Sequence, residues 1–104
     1  MRMLMKVSIP IVEGNAAISD GSLGTKIGAI LADLKPESAY FLEEHGLRTG
    51  ILVFDLASST QIPTVAEPWF LGFNAKVEFH PVMNLDDLKI ATSGLESIVR
   101  KYKR

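Results

Sequence analysis

A chain of 104 residues with 47% hydrophobic and 22% charged side chains has the size and composition of one globular domain. Eleven Lys and Arg against twelve Asp and Glu leave a net charge of −1, which supplies no electrostatic footprint for nucleic acid. With no cysteine, disulfides, thiolate nucleophiles and Cys-ligated metals are excluded.

The opening stretch MRMLMKVSIPIVEG starts basic, but Lys6 and Pro10 interrupt its apolar runs. It lacks the continuous core of a signal peptide, and the chain nowhere approaches the ~20 apolar residues of a membrane span. A soluble cytoplasmic protein with no membrane partner is the expectation.

RMLMKVSIP reads as a first strand, with Met3, Met5, Val7 and Ile9 on one face and Leu4, Lys6 and Ser8 on the other. Pro10 and Gly14 close it. From Asn15 to Leu34 the apolar residues Ile18, Leu23, Ile27, Ile30, Leu31 and Leu34 fall near one helical stripe, which Gly21 and Gly24 divide into two pieces. SAYFLEE and RTGILVFDLA are strands joined through HGL, where Gly46 suits a tight hairpin.

Ser58, Ser59 and Thr60 offer N-caps for a second helix, whose stripe is Ile62, Val65, Ala66, Trp69, Phe70 and Phe73. Pro63 is tolerable in its first turn, whereas Pro68 predicts a kink or restart before Trp69. AKVEFHPVM is the fourth strand. Asn84 then caps a last helix with Asp86 and Asp87 in its positive first turn, an apolar stripe from Leu88 to Tyr102, and Gly94 weakening its middle.

The order is β-α-β-β-α-β with an extra C-terminal helix: an α+β, ferredoxin-like single domain over residues 1–104, with a four-stranded antiparallel sheet. Right-handed crossovers place the first and second strands parallel with the third between them, and the fourth beside the first.

With that order, and with AEPWFLGFNAKVEFHPVMNLDDL running from the second helix into the last, the chain resembles the dimeric α+β barrel superfamily, especially its small stand-alone members. The resemblance implies a homodimer whose sheets face each other, and a cleft between each sheet and its helices. Haem-degrading members use an Asn on the first strand with a Trp and a His. Trp69 and His80 are present, but the first strand has no Asn, which argues against haem, and no cofactor is expected. Other members pair a His with an Asp, and His80 and Asp55 are the candidate carriers of that chemistry.

Alternation sets Val77, Phe79 and Met83 on one face of the fourth strand and Glu78, His80 and Val82 on the other. The uniformly apolar faces should meet the helices. Lys6, Ser8, Glu78, His80 and Val82 should lie on the opposite, dimer-covered face, joined by Ile51 and Val53, although both faces of the third strand are apolar and its register is open. A Lys6–Glu78 cross-strand ion pair is one reading of this face. A general-base His80, with a reference pKa near ~6.5, is the other. Trp69 and Phe73, with Tyr40 as a polar handle, are the ligand-pocket candidates in the cleft, for a small and mostly apolar organic ligand. The chain would then be a binder or a cofactor-free enzyme; the alternative is a structural or interaction module without catalysis. His45 is expected in an exposed turn. The two histidines lie 35 positions apart with too few ligands nearby, so no metal site is expected, and neither GxxxxGK[ST] nor GxGxxG occurs.

Overall fold

The computed structural model describes every residue from Met1 to Arg104. Four strands, β1 (Arg2–Ile9), β2 (Ser38–Glu44), β3 (Leu47–Asp55) and β4 (Lys76–Pro81), form one antiparallel sheet in the order β2-β3-β1-β4. Five helices complete an α+β chain: α1 (Ile11–Ser19), α2 (Leu23–Leu34), α3 (Ile62–Phe73), α4 (Leu85–Ser93) and α5 (Glu96–Tyr102). The topology is compatible with the ferredoxin-like expectation. No helix is long and apolar enough to cross a membrane.

Alternation along β1 decides the two faces. Met3, Met5, Val7 and Ile9 are buried against the helices, whereas Leu4, Lys6 and Ser8 point to the other, open face. The register carries that parity across the sheet: Met5 stands opposite Leu52 and Phe79, and Lys6 opposite Ile51 and Glu78. This resolves β3, whose Leu52 and Phe54 join the core with Leu56 just beyond, while Ile51 and Val53 lie on the open face. From α3, Trp69 and Phe73 complete the core with rings 6.0 Å apart and near-parallel.

Helix α1 begins directly after Pro10, so Gly14 lies inside a helix and does not close β1 as expected. Pro at the helix start lacks only a donor that would be orphaned there anyway. The long helical stretch divides at Asp20–Ser22, where Gly21 takes φ 77°. The hairpin between β2 and β3 is two residues, His45 and Gly46, with φ of 54° and 78°, the signature of a type I′ turn.

A short 3-10 turn, Ser59–Gln61, capped by the Ser58 hydroxyl accepting from Thr60 N at 3.2 Å, leads into α3. The restart expected before Trp69 is absent, since α3 runs unbroken through Pro68. Pro68 and Thr64, whose carbonyl loses its donor, are both exposed, so that carbonyl lies on the side of the helix open to solvent. Asn74, with φ 53°, terminates the helix, its N–H reaching Phe70 O at 2.8 Å and that of Ala75 reaching Trp69 O at 3.3 Å.

Beyond β4 the chain leaves the body. Asn84 and Asp87 form a reciprocal capping box at the start of α4, at 2.8 and 3.0 Å. The last helical stretch divides at Gly94 into α4 and α5, and every residue from Leu88 to Arg104 is exposed.

Candidate functional site

The largest cavity, about 690 Å³, opens between the helix layer and the hairpin end of the sheet. The core-facing ends of β1 and β3 form its floor, with Val7, Ile9 and Gly50. Leu23 and Ile27 of α2, Trp69 of α3 and Phe41 of β2 form its walls. These positions are apolar because each continues a core-facing stripe to a place where the helices no longer cover the sheet. Phe41 stands opposite Gly50 and, for want of a helix above it, keeps 54% of its surface exposed.

Four polar side chains, Asn15, Glu43, Arg48 and Thr49, interrupt this lining. The indole Nε1 of Trp69, a residue only 1% exposed, is buried without an acceptor. A buried donor left unpaired costs about 1–3 kcal/mol. Arg48 shares the core-facing parity of β3 and stands opposite Ile9. Its guanidinium lies against α1 at Gly14, where a Cβ would come 2.6 Å from Nη1, and its Nη2 donates to Asn15 Oδ1 at 3.1 Å. Glu43 faces Arg48 across the hairpin, yet its Oε2 accepts from Gly46 N at 3.0 Å and forms no ion pair with Arg48. Arg48 is therefore a half-buried cation, held in place by a neutral amide and lacking a carboxylate partner.

The residues expected to line a cleft separate. Trp69 lines the cavity; Phe73 is core, with Lys26 Nζ 5.6 Å from its ring centroid. Tyr40 requires a correction: it pairs with Ile51, so strand parity puts it on the open face, across the sheet from Trp69 and 71% exposed. Arg48, Asn15 and Phe41, which the sequence reading did not single out, take its place beside the cavity. The available signal was parity: Arg48 is an even-numbered step from Leu52 and Phe54.

On the open face lie Lys6, Ser8, Ile51, Val53, Glu78 and His80, with Val82 just past β4. Lys6 Nζ bridges Glu44 at 2.9 Å and Glu78 at 3.5 Å, and Lys76 reaches Glu78 at 3.5 Å. The Lys6 ammonium is raised above its usual range, chiefly by its hydrogen bond to Glu44. Glu78 is held below the usual carboxylate range, chiefly by the charge of Lys6. A polar hollow of about 590 Å³ beside this network is lined by the same Lys6, Glu44 and Glu78, whose charges already answer one another.

His80 stands opposite Leu4, and Asp55 opposite Arg2, with all of β1 between them. Two strand spacings alone separate them by about 10 Å. Asp55 Oδ1 instead accepts from the Met1 ammonium at 2.8 Å, and His80 is exposed. The structure does not bring these two candidates together as an acid–base pair. His45 is exposed in its turn, and no three His, Cys, Asp or Glu side chains converge as a metal cluster. No protein-family model matches the chain, and no curated protein matches it.

Proposed function

We propose that this chain is a cytoplasmic, ferredoxin-like domain of the dimeric α+β barrel kind that binds a small, mostly apolar organic acid in the cavity beside Trp69. The observation that carries the reading is Arg48: a guanidinium positioned by Asn15 and by the missing side chain of Gly14, at the side of an apolar cavity, with no carboxylate of its own. A planar, permanently charged fork suits a carboxylate, which it can hold through two parallel hydrogen bonds. The apolar walls take the remainder of the molecule. In this reading each open sheet face is covered by a second copy, because Leu4, Ile51, Val53 and Tyr40 otherwise leave apolar surface in water. No residue is assigned a catalytic role, and the cavity serves binding.

The test uses Trp69, the only tryptophan, as the reporter. Titration with decanoate or 3-phenylpropanoate should change its emission saturably, while the matching primary amides should bind far more weakly. Arg48→Gln should weaken the carboxylates roughly ten- to hundredfold, the worth of one charge-assisted hydrogen bond, and leave the amides unchanged. Equal binding of acids and amides, or an indifferent Arg48→Gln, would refute the assignment.

A further inference from the structure

The cavity beside Trp69 holds a second charge, which a plain carboxylic acid would leave unanswered. Glu43 of β2 lines it, shares the core-facing parity of Ala39 and Phe41, and stands opposite Arg48. Directly opposed residues on neighbouring strands have Cβ atoms about 4.5–5.5 Å apart, a spacing at which unlike charges attract and stabilise the sheet. Glu43 and Arg48 nevertheless form no ion pair, with each other or with any other side chain.

Each charge is held instead by a neutral group on its own side. Arg48 Nη2 donates to Asn15 Oδ1 at 3.1 Å, which keeps the guanidinium against α1 in the space beside Gly14. Glu43 Oε2 accepts from Gly46 N at 3.0 Å, which keeps that carboxylate by the hairpin turn. The other Glu43 oxygen accepts no hydrogen bond. The cavity therefore carries one cation and one anion, neighbours in register but separately held, beside apolar walls from Leu23, Ile27, Phe41 and Trp69.

A ligand with a carboxylate alone would satisfy Arg48 and bring a like charge toward Glu43, which is unfavourable. A ligand with one charge of each sign satisfies both. The register restricts its shape, because the two side chains spring from facing positions on adjacent strands. The ligand's charges must be close neighbours too. An ammonium and a carboxylate on one carbon meet that requirement, and the remaining substituent is left for the apolar walls.

We infer that the cavity takes an α-amino acid with a large apolar side chain, its carboxylate on Arg48 and its ammonium on Glu43. This rests on the acid-binding reading above and names the class of acid. The ammonium donates to the Glu43 oxygen that Gly46 does not use, so the hairpin keeps its own bond when the site is filled. Glu43 is thereby the residue that sets specificity, discriminating against acids that carry no ammonium.

The experiment titrates the full chain near neutral pH with L-phenylalanine, 3-phenylpropanoate and N-acetyl-L-phenylalanine, read by the emission of Trp69. The last two keep the ring and the carboxylate but carry no ammonium. L-phenylalanine should bind at least about tenfold tighter than either, the effect of one charge-assisted hydrogen bond. Glu43→Gln retains an oxygen that can accept from Gly46 N, so the turn is preserved. It should lower L-phenylalanine to the affinity of 3-phenylpropanoate and leave 3-phenylpropanoate bound as before or more tightly. Arg48→Gln should weaken all three. If L-phenylalanine binds no tighter than the other two while Arg48→Gln still weakens them, the amino-acid class is overturned and the acid-binding reading stands. A Glu43→Gln chain that loses all three equally would reduce Glu43 to a turn residue and overturn the inference as well. If none of the three binds, both readings fall. Should Glu43→Gln fail to fold, the order of the three ligands on the wild-type chain decides alone.

Discussion

Arg48 and Gly14 compete for one volume: the Arg48 Nη1 lies 2.6 Å from where a Cβ on Gly14 would stand. A glycine inside α1 costs that helix about 1 kcal/mol relative to alanine, and the guanidinium occupies the space left vacant. The conflict is with the far end of a flexible side chain, so Gly14→Ala should move Arg48 and leave the backbone in place. Stability in urea should be unchanged or higher by up to about 1 kcal/mol. Affinity for decanoate should nonetheless fall toward that of Arg48→Gln. A Gly14→Ala chain that binds as the wild type does would show that the seat of Arg48 is irrelevant to the cavity.

Trp69 is expected to serve both the core and the cavity wall. Trp69→Ala should cost about 3–5 kcal/mol, the range for emptying a large aromatic site. Trp69→Phe keeps a ring against Phe73 and removes a donor that has no acceptor, so it should cost clearly less. Chemical denaturation of the two variants checks the order; equal losses would show that the ring against Phe73 is not what Trp69 contributes.

The Lys6 network sets a pH window. Glu78 titrates below its ordinary value of 4.5 in the folded chain, so its contribution is present above that value and is lost as pH falls through the lower folded pKa. Lys6 titrates above 10.5, so its contribution is present below that value and is lost as pH rises through the higher folded pKa. Unfolding free energy from this network should therefore be flat across neutral pH and decline at both extremes. Lys6→Met should remove the alkaline decline and move the acid decline toward ordinary carboxylate pH. Because these groups are partly exposed, salt should weaken the effect. An acid limb identical in Lys6→Met would mean that Lys6 is not what holds Glu78 low.

Capping of α4 should be separable from the stability of the body. Asn84→Ala should cost α4 about 0.5–2 kcal/mol. Under dilute conditions, amide exchange should quicken from Leu85 to Ser93 while amides of β1 and β3 remain protected. If the β1 amides loosen equally, α4 and the sheet unfold as one unit.

Much of this architecture was legible because period-two patterning in β1 and β4 is nearly unambiguous. A one-residue slip in β4 would turn Val77 and Phe79 outward and drive Glu78 and His80 into the helix-packed core. The parity of β3 was hidden, since Ile51 and Val53 are as apolar as Leu52 and Phe54; pairing with β1 decided it. Tyr40 went astray for a related reason: β2 is an edge strand, exposed on both faces toward the hairpin, and its alternation carries little information. Pro68 was misjudged because an exposed helix carbonyl tolerates the missing donor. Arg48 and Gly14 form a contact across 34 positions that neither residue advertises alone.

The strands at the two margins of the sheet carry a consequence for how these molecules can accumulate. Strand β4 has only six residues and ends at Pro81, which has no N–H to donate to a neighbour; β2, at the other margin, ends in Glu43 and Glu44. Short margins, proline and charge all discourage the addition of a further strand. Open-ended stacking of sheets into fibrils is thereby disfavoured even though the chain is nearly neutral. Crowding this protein should enrich finite particles, and thioflavin fluorescence should stay at baseline at concentrations where light scattering already reports association.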